Sequence, residues 1–339
     1  MKVLIAGESS VHLQNYCRAI KKHVDEIIII TETSIQVPEA KRSYIISFRE
    51  MNPFQWYFSY KKLKKIIQEE KPDLVHVHQI NRLAYFIARS LINTPLIATA
   101  WGSDVLLVPQ RSFTHRMFST FVIKKSRFVT ADSQSMIEAM KAMVNTDSKY
   151  FHLQYGIDPI TPAIKEKIIY SNRLHNPLYN IDTIIKDFAS FSFNHPDWKL
   201  HIAGKGSDTE KLIALATQLK VSDKVKFLGW MNKEQNAEQY SKAAIYVSIP
   251  SSDGTSVSLL EAMSAECIPV VSYLPSNGEW IENGINGVIK KEKKNPFEEA
   301  LTLNSKRCGE INRKKIDLLA VRENTTKTFF SLYKKVIGA

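Results

Sequence analysis

Three features of the sequence predict an α/β fold built from two parallel-sheet domains. Apolar runs of strand length alternate with helical patterns through both halves of the chain. Each half carries its own series, and Gly156, Asp158, Pro159 and Pro162 punctuate the join, which places the domains at 1–158 and 159–320. The length, 339 residues, exceeds one ordinary domain and suits two, and 44% hydrophobic content is enough for two cores.

In the first half, strands are expected at 2–6, 26–31, 73–77, 96–100 and 127–130. In a parallel sheet covered on both faces, ligands sit beyond the carboxyl ends of the strands. Gly7-Glu8-Ser9-Ser10-Val11-His12 follows the first strand as a short turn, not a full G-x-G-x-x-G fingerprint. Gly7 is a candidate for close ligand approach there, and His12 a candidate site residue. Val75-His76-Val77-His78 follows, with no carboxylate or third His nearby to complete a metal site. His76 is expected to pack or hydrogen-bond internally. His78, nearer the strand end, is the better site candidate. Asp104, in Thr99-Ala100-Trp101-Gly102-Ser103-Asp104, is either a substrate contact or a helix cap.

Two stretches of this half mix aromatic and cationic side chains. Residues 53–68 hold Phe54, Trp56, Tyr57, Phe58 and Tyr60 just before Lys61, Lys62, Lys64 and Lys65; residues 111–127 repeat the mixture. Such segments suit an anionic membrane surface. The alternative is an amphipathic helix whose apolar face packs on the sheet.

The second half restarts at Ile168-Ile169-Tyr170-Ser171-Asn172-Arg173. It continues with Leu200-His201-Ile202-Ala203-Gly204-Lys205-Gly206 and Val225-Lys226-Phe227-Leu228-Gly229-Trp230. Residues 244–249 form a further strand that runs into Pro250 and a polar turn. Gly254 sits in that turn, and Val257, Leu259, Leu260 and Met263 then recur at helical spacing. The helix start offers N–H groups from Thr255, Ser256, Val257 and Ser258 to an anion. Asp253 stands before it and Glu261 about two turns in, so the two carboxylates flank the anion-accepting end. This arrangement suits a nucleotide sugar, with N–H groups for the diphosphate and carboxylates for ring hydroxyls. An ordinary strand–helix turn with Asp near the cap is the alternative.

From Tyr246 to Ile289 the chain resembles the C-terminal signature of the retaining glycosyltransferases of family 4. Glu261-Ala262-Met263 and Pro269-Val270-Val271 match, Asp253 stands where the first of two Glu usually lies, and Glu266 replaces a Gly. Trp101-Gly102-Ser103-Asp104 is similar to the family's His-Gly-x-Asp, with Trp101 in place of His. Arg173 matches the family's Arg, whereas Tyr179-Asn180 occupies its Lys-Gly place. The resemblance implies a GT-B architecture, two Rossmann-like domains facing across a cleft, with the C-terminal helix 321–339 packing back on the first. It implies a metal-independent, retaining transfer that needs no cofactor beyond the nucleotide-sugar substrate. Asp253, Glu261 and Arg173 would carry it, with Gly7, Gly204, Gly229 and residues 255–258 contacting the nucleotide. His12, His78 and Asp104 would lie on the acceptor or sugar side.

A net charge of +12 calls for an anionic partner. Nucleic acid is not expected, because the basic residues are scattered and no recognition motif appears. A UDP-sugar donor and a glycan or lipid-linked acceptor fit better, as in bacterial surface polysaccharide or lipopolysaccharide assembly. A catalytically silent nucleotide-sugar-binding protein fits Trp101 and the absent Lys, and a sugar-nucleotide epimerase would share the two-domain fold. Cys17, Cys267 and Cys308 follow no disulfide or metal pattern, and Met1 leads straight into Lys-Val-Leu-Ile-Ala. A cytoplasmic protein, peripheral on the inner membrane face, is therefore expected.

Overall fold

The computed structural model describes residues 1–50, 52–146, 149–291 and 294–338. The chain forms two units, Met1–Tyr155 joined by the residues from Arg322 on, and Gly156–Val321. The division falls at 155/156 rather than 158/159. The Ile157 N–H donates to the Ala320 carbonyl (2.8 Å) and Ile157 bridges Val321, so the crossover residues belong to the second unit.

The first unit holds strands β1 (Lys2–Gly7), β2 (Glu26–Thr31), β3 (Arg42–Ile45), β4 (Leu74–His78), β5 (Leu96–Thr99), β6 (Phe128–Ala131) and β7 (Tyr150–His152). They form one parallel sheet in the order β3-β2-β1-β4-β5-β6-β7. A parallel sheet buried on both faces needs apolar residues at every central position. Alternate residues then serve different cores. Leu4, Ala6, Ile28 and Ile30 enter one cluster, while Val3, Ile5, Ile27 and Ile29 enter the other. The C-terminal helix Arg322–Ile337 adds Phe329, Leu332, Tyr333 and Val336 to that second cluster. The edge strand β3 was not anticipated: Arg42 and Ser43 are exposed, so it carries no apolar run.

The second unit repeats the plan with β8 (Glu166–Ser171), β9 (Lys199–Ala203), β10 (Val225–Gly229), β11 (Ala243–Ser248), β12 (Ile268–Val271) and β13 (Val288–Ile289). The order is β10-β9-β8-β11-β12-β13, again all parallel. In each sheet the strand order reverses beside the first strand, at β1/β4 and at β8/β11. Such reversals open a crevice at the carboxyl ends of the strands.

The helix Pro53–Glu70 resolves the first aromatic stretch. Asn52 caps it, accepting from the Phe54 and Gln55 N–H groups, and Pro53 opens it. Leu63, Ile66 and Ile67 face the core, and Trp56 and Tyr60 pack against it. Phe54, Tyr57 and Phe58 are exposed, as are all four lysines. The second stretch forms helix Phe113–Lys125, with Phe113 and Met117 exposed. Helix Arg82–Ser90 lies between the two. Its Phe86 contacts Trp56 and Tyr60, and its Tyr85 stacks on Phe118 with ring centroids 4.4 Å apart. The two stretches thus belong to one helical layer. Among the described residues, no helix is long and apolar enough to cross a membrane.

Candidate functional site

The β8/β11 crevice gathers charged and hydroxyl side chains. Arg173 lies two residues past β8, and the loop after β11 carries Asp253 and Ser256. Because β8 and β11 pair directly, with Tyr170 opposite Tyr246, these distant segments end side by side. One guanidinium nitrogen of Arg173 donates to the Ser256 hydroxyl (2.5 Å), and the other donates to Asp253 Oδ2 (2.7 Å). Both ion-pair partners are largely buried, with side-chain exposures of 12% and 23%. Burial disfavours the Arg173 charge, but Asp253 foremost outweighs it, and the arginine pKa is raised. The guanidinium also lies over the Tyr179 ring, 4.5 Å from its centroid.

Ser256 is the N-cap of helix Val257–Ser264, yet its side chain makes no capping bond. Its hydroxyl is turned to Arg173 instead. Leu259 and Leu260 N–H donate to the Ser256 carbonyl, so the N–H groups of Val257 and Ser258 precede the first intrahelical bonds. A helix start of this kind, with a guanidinium beside it, attracts an anion.

The loop is held from several sides. Ser251 N–H donates to the Leu178 carbonyl, and Ser272 and Ser276 hydroxyls donate to the Pro250 and Asp253 carbonyls. The buried Trp280 indole N–H donates to Thr255 Oγ1 (3.3 Å). Asn180, in the left-handed region at φ 51°, donates its side-chain amide to the Ile249 carbonyl and to Ser251. The contacts that Asn180 and Trp280 make with this loop arise only in the fold.

Glu261 is half-buried in the second turn of the helix. Tyr246 senses both Glu261 and Arg173. Burial raises the Tyr246 pKa, Arg173 pulls it back and Glu261 pushes it up. Asn172 joins the same layer, donating to Tyr240 and accepting from Tyr246.

The glycine candidates have internal explanations. At Gly204, φ is 105° and a Cβ would stand 2.5 Å from the Arg173 carbonyl oxygen. Its N–H donates to the Gly229 carbonyl (2.7 Å), and Gly229 is itself at φ 69°. Both shape the turns that flank Arg173. Lys205 is exposed between them.

The β1/β4 crevice of the first unit differs. A Cβ on Gly7 would lie 2.8 Å from the His78 carbonyl oxygen, so Gly7 permits β1 to close on β4. His12 is exposed, edge-on to Trp101. His78 is fully buried among Tyr16, His76, Trp101 and Tyr155, with Nδ1 3.2 Å from the Tyr155 hydroxyl. Burial pushes its imidazole down to about 3. His76 is fully buried too, bonded to Tyr333 and Thr99. Asp104 is buried and holds backbone in place. Its two carboxylate oxygens accept the Ile80 and Trp101 N–H groups, at 2.7 and 3.0 Å, beside Gly102 at φ 118°.

Residues 160–306 match the family described as glycosyl transferases group 1, and residues 2–133 match glycosyl transferase 4-like. The chain is 22% identical over 252 residues to N-acetyl-alpha-D-glucosaminyl L-malate synthase of Bacillus anthracis, covering 67% of this chain and 64% of that protein. It is 27% identical over 243 residues to lipopolysaccharide 1,6-galactosyltransferase of Escherichia coli, covering 66% and 63%. The matches thus span slightly less than two thirds of these relatives' lengths. The crystal structure of Anabaena HepE in complex with UDP shares the fold, with a TM-score of 0.83 at 13% identity over 99% of this chain and 100% of that one. Each half of the chain thus matches a glycosyl transferase family model, and the whole chain shares the fold of HepE.

Proposed function

We propose that the second unit binds a UDP-sugar at the β8/β11 crevice. The chain would transfer that sugar, with retention, to a glycan or lipid-linked glycan. The carrying observation is the Arg173–Asp253–Ser256 cluster at a helix start whose N-cap side chain is turned away from capping. In this reading the diphosphate lies on Arg173 and the N–H groups at 256–258, and Glu261 holds ribose hydroxyls. Asp253 orients Arg173 through Oδ2 and meets sugar hydroxyls through Oδ1. The bond from the anomeric carbon to the diphosphate oxygen breaks, and the acceptor hydroxyl oxygen bonds to that carbon on the same face. The hydroxyl proton passes to the departing diphosphate, so the chain supplies positioning and charge stabilisation rather than a base. The UDP held by HepE and the lipopolysaccharide acceptor implied by the name of the E. coli relative support the donor and acceptor classes.

The same reading places the chain on an anionic membrane surface. Phe54, Tyr57 and Phe58 are exposed just before Lys61, Lys62, Lys64 and Lys65 on one helix. Each lysine near such a surface contributes about 1 kcal/mol. Salt-sensitive binding to anionic but not neutral vesicles is expected, and the four lysines changed to Glu should abolish it. Equal co-sedimentation of wild type and variant removes the membrane from the reading.

A binding and hydrolysis screen across nucleotide sugars tests the donor site. Turnover with a UDP-sugar supports the reading. Binding without turnover, even with acceptor glycans added, points to a silent binding protein. Interconversion of the sugar without an acceptor points to an epimerase.

A further inference from the structure

We propose that Tyr179 is a positioning residue that presents Arg173 to the diphosphate through its ring face. The inference rests on the donor reading above and deepens it. Arg173 is fastened on three sides from two segments of chain. Ser256 and Asp253 take its two terminal nitrogens, at 2.5 and 2.7 Å, and the Tyr179 ring covers one face at 4.5 Å. The edge bonds fix where the guanidinium points, and the ring fixes the plane in which it lies.

The ring is itself well anchored. Tyr179 ends the 3₁₀ turn Pro177–Tyr179, whose start is capped by Asn176 accepting from the Leu178 N–H. Tyr179 packs against the core of the second unit. The next residue, Asn180, bonds to Ile249 and Ser251, and Ser251 returns a bond to Leu178. The turn that carries the ring is therefore tied to the loop that carries Asp253 and Ser256. A movement of one displaces all three supports of the guanidinium.

An arginine has several free torsions, and gripping an anion freezes them. Holding it in place before the donor arrives removes that loss from binding and from the approach to the transition state. As charge gathers on the leaving diphosphate, a guanidinium already in the right plane responds without rearrangement. The ring face carries this role, and the Tyr179 side chain also favours the Arg173 charge, after Asp253 and Tyr246.

The test uses the full chain and three variants. Tyr179→Leu keeps apolar packing but removes the ring. Its kcat is expected to fall about three- to thirtyfold, the scale of a partly desolvated cation–π contact, with a smaller change in KM and no change in melting temperature. Tyr179→Phe restores the turnover lost in Tyr179→Leu. In an Arg173→Ala background, Tyr179→Leu has no further effect. A second readout is independent of activity. The Arg173 Nε–H resonance, assigned with Arg173→Lys, should report restricted guanidinium rotation in the wild type and in Tyr179→Phe, and averaging in Tyr179→Leu. Normal turnover and normal restraint in Tyr179→Leu overturn the role of Tyr179 alone, as does a Tyr179→Phe enzyme as slow as Tyr179→Leu. A wild-type chain that shows the restraint but binds no nucleotide sugar overturns the donor reading instead.

Discussion

The two units share one strand order, yet their switch-point crevices hold opposite chemistry. At β1/β4 the side chains are aromatic rings and two fully buried histidines, and the nearby carboxylate, Asp104, is spent on backbone N–H groups. At β8/β11 a guanidinium, a carboxylate and a serine hydroxyl converge beside a helix start. Topology supplies a crevice in both units. The side chains decide which can take an anion. In the first, burial drives the imidazoles neutral, whereas in the second an ion pair sustains a buried charge.

The largest expected effect tests the charged crevice. Arg173→Ala should lower kcat by about 10²–10³-fold, the loss seen when one donor to a developing anion is removed. Arg173→Lys should recover only part, because an ammonium lacks the planar fork that Ser256 and Asp253 engage. Steady-state kinetics on the folded variants decide it, and an Arg173→Ala enzyme of normal turnover would erase the contrast between the crevices.

Glu261→Gln should weaken donor binding and transfer by about ten- to hundredfold, since a hydrogen bond to a charged group contributes about 1.5–3 kcal/mol. Titration calorimetry with the donor identified by the screen measures it. His78→Gln, the counterpart in the first unit, should leave donor affinity unchanged. Equal losses in both would mean that the two crevices do not divide the work.

Gly204→Ala and Gly7→Ala compare the backbone contacts at the two switch points. The first forces a side chain into a left-handed conformation as well as against the Arg173 carbonyl; the second meets the His78 carbonyl oxygen at 2.8 Å and the His78 Cβ at 3.0 Å, with no left-handed backbone. Each should destabilise by about 1–3 kcal/mol, with Gly204→Ala the greater. Urea midpoints in the reverse order would contradict that ranking.

Acid sensitivity separates the units as well. Burial lowers both histidine pKa values in the folded first unit, that of His78 to about 3. In the unfolded chain they titrate near 6.5, so below that pH the unfolded state binds more protons. Stability from keeping them neutral is complete above about pH 6.5 and is lost as pH falls. For His78 the loss runs toward pH 3, with a slope of up to about 1.4 kcal/mol per pH unit. Glu70 acts in the same direction. Its burial is outweighed by bonds from Tyr44, Arg42 and Lys2, which hold it at about 2, so its contribution is lost as pH falls below about 4.5. Denaturant midpoints between pH 7.5 and 5 should decline, and His78→Gln should flatten the decline by the equivalent of one proton. An unchanged slope in that variant would show that His78 does not supply it.

The parallel strands can be read from the residues alone, because residues buried on both faces of a sheet must be apolar along an unbroken run. Lys2–Gly7, Glu26–Thr31 and Ala243–Ser248 are legible for that reason, and the edge strand Arg42–Ile45 is not. Asp253 and Glu261 are marked as candidates because they flank a helix start, and Arg173 by its resemblance to a family motif at a strand end. What each does to its neighbours follows from the fold. Arg173 meets Asp253 and Ser256 across some eighty residues of chain because β8 and β11 pair. Tyr179 reads in sequence as a lost lysine, but its ring lies against the guanidinium. His78 stands at a strand end, where ligands bind, yet it is sealed under Tyr16, Trp101 and Tyr155. Burial and pairing at a crevice depend on which strands become neighbours and on what the helices lay over them. Those are long-range contacts, and no local pattern of residues encodes them.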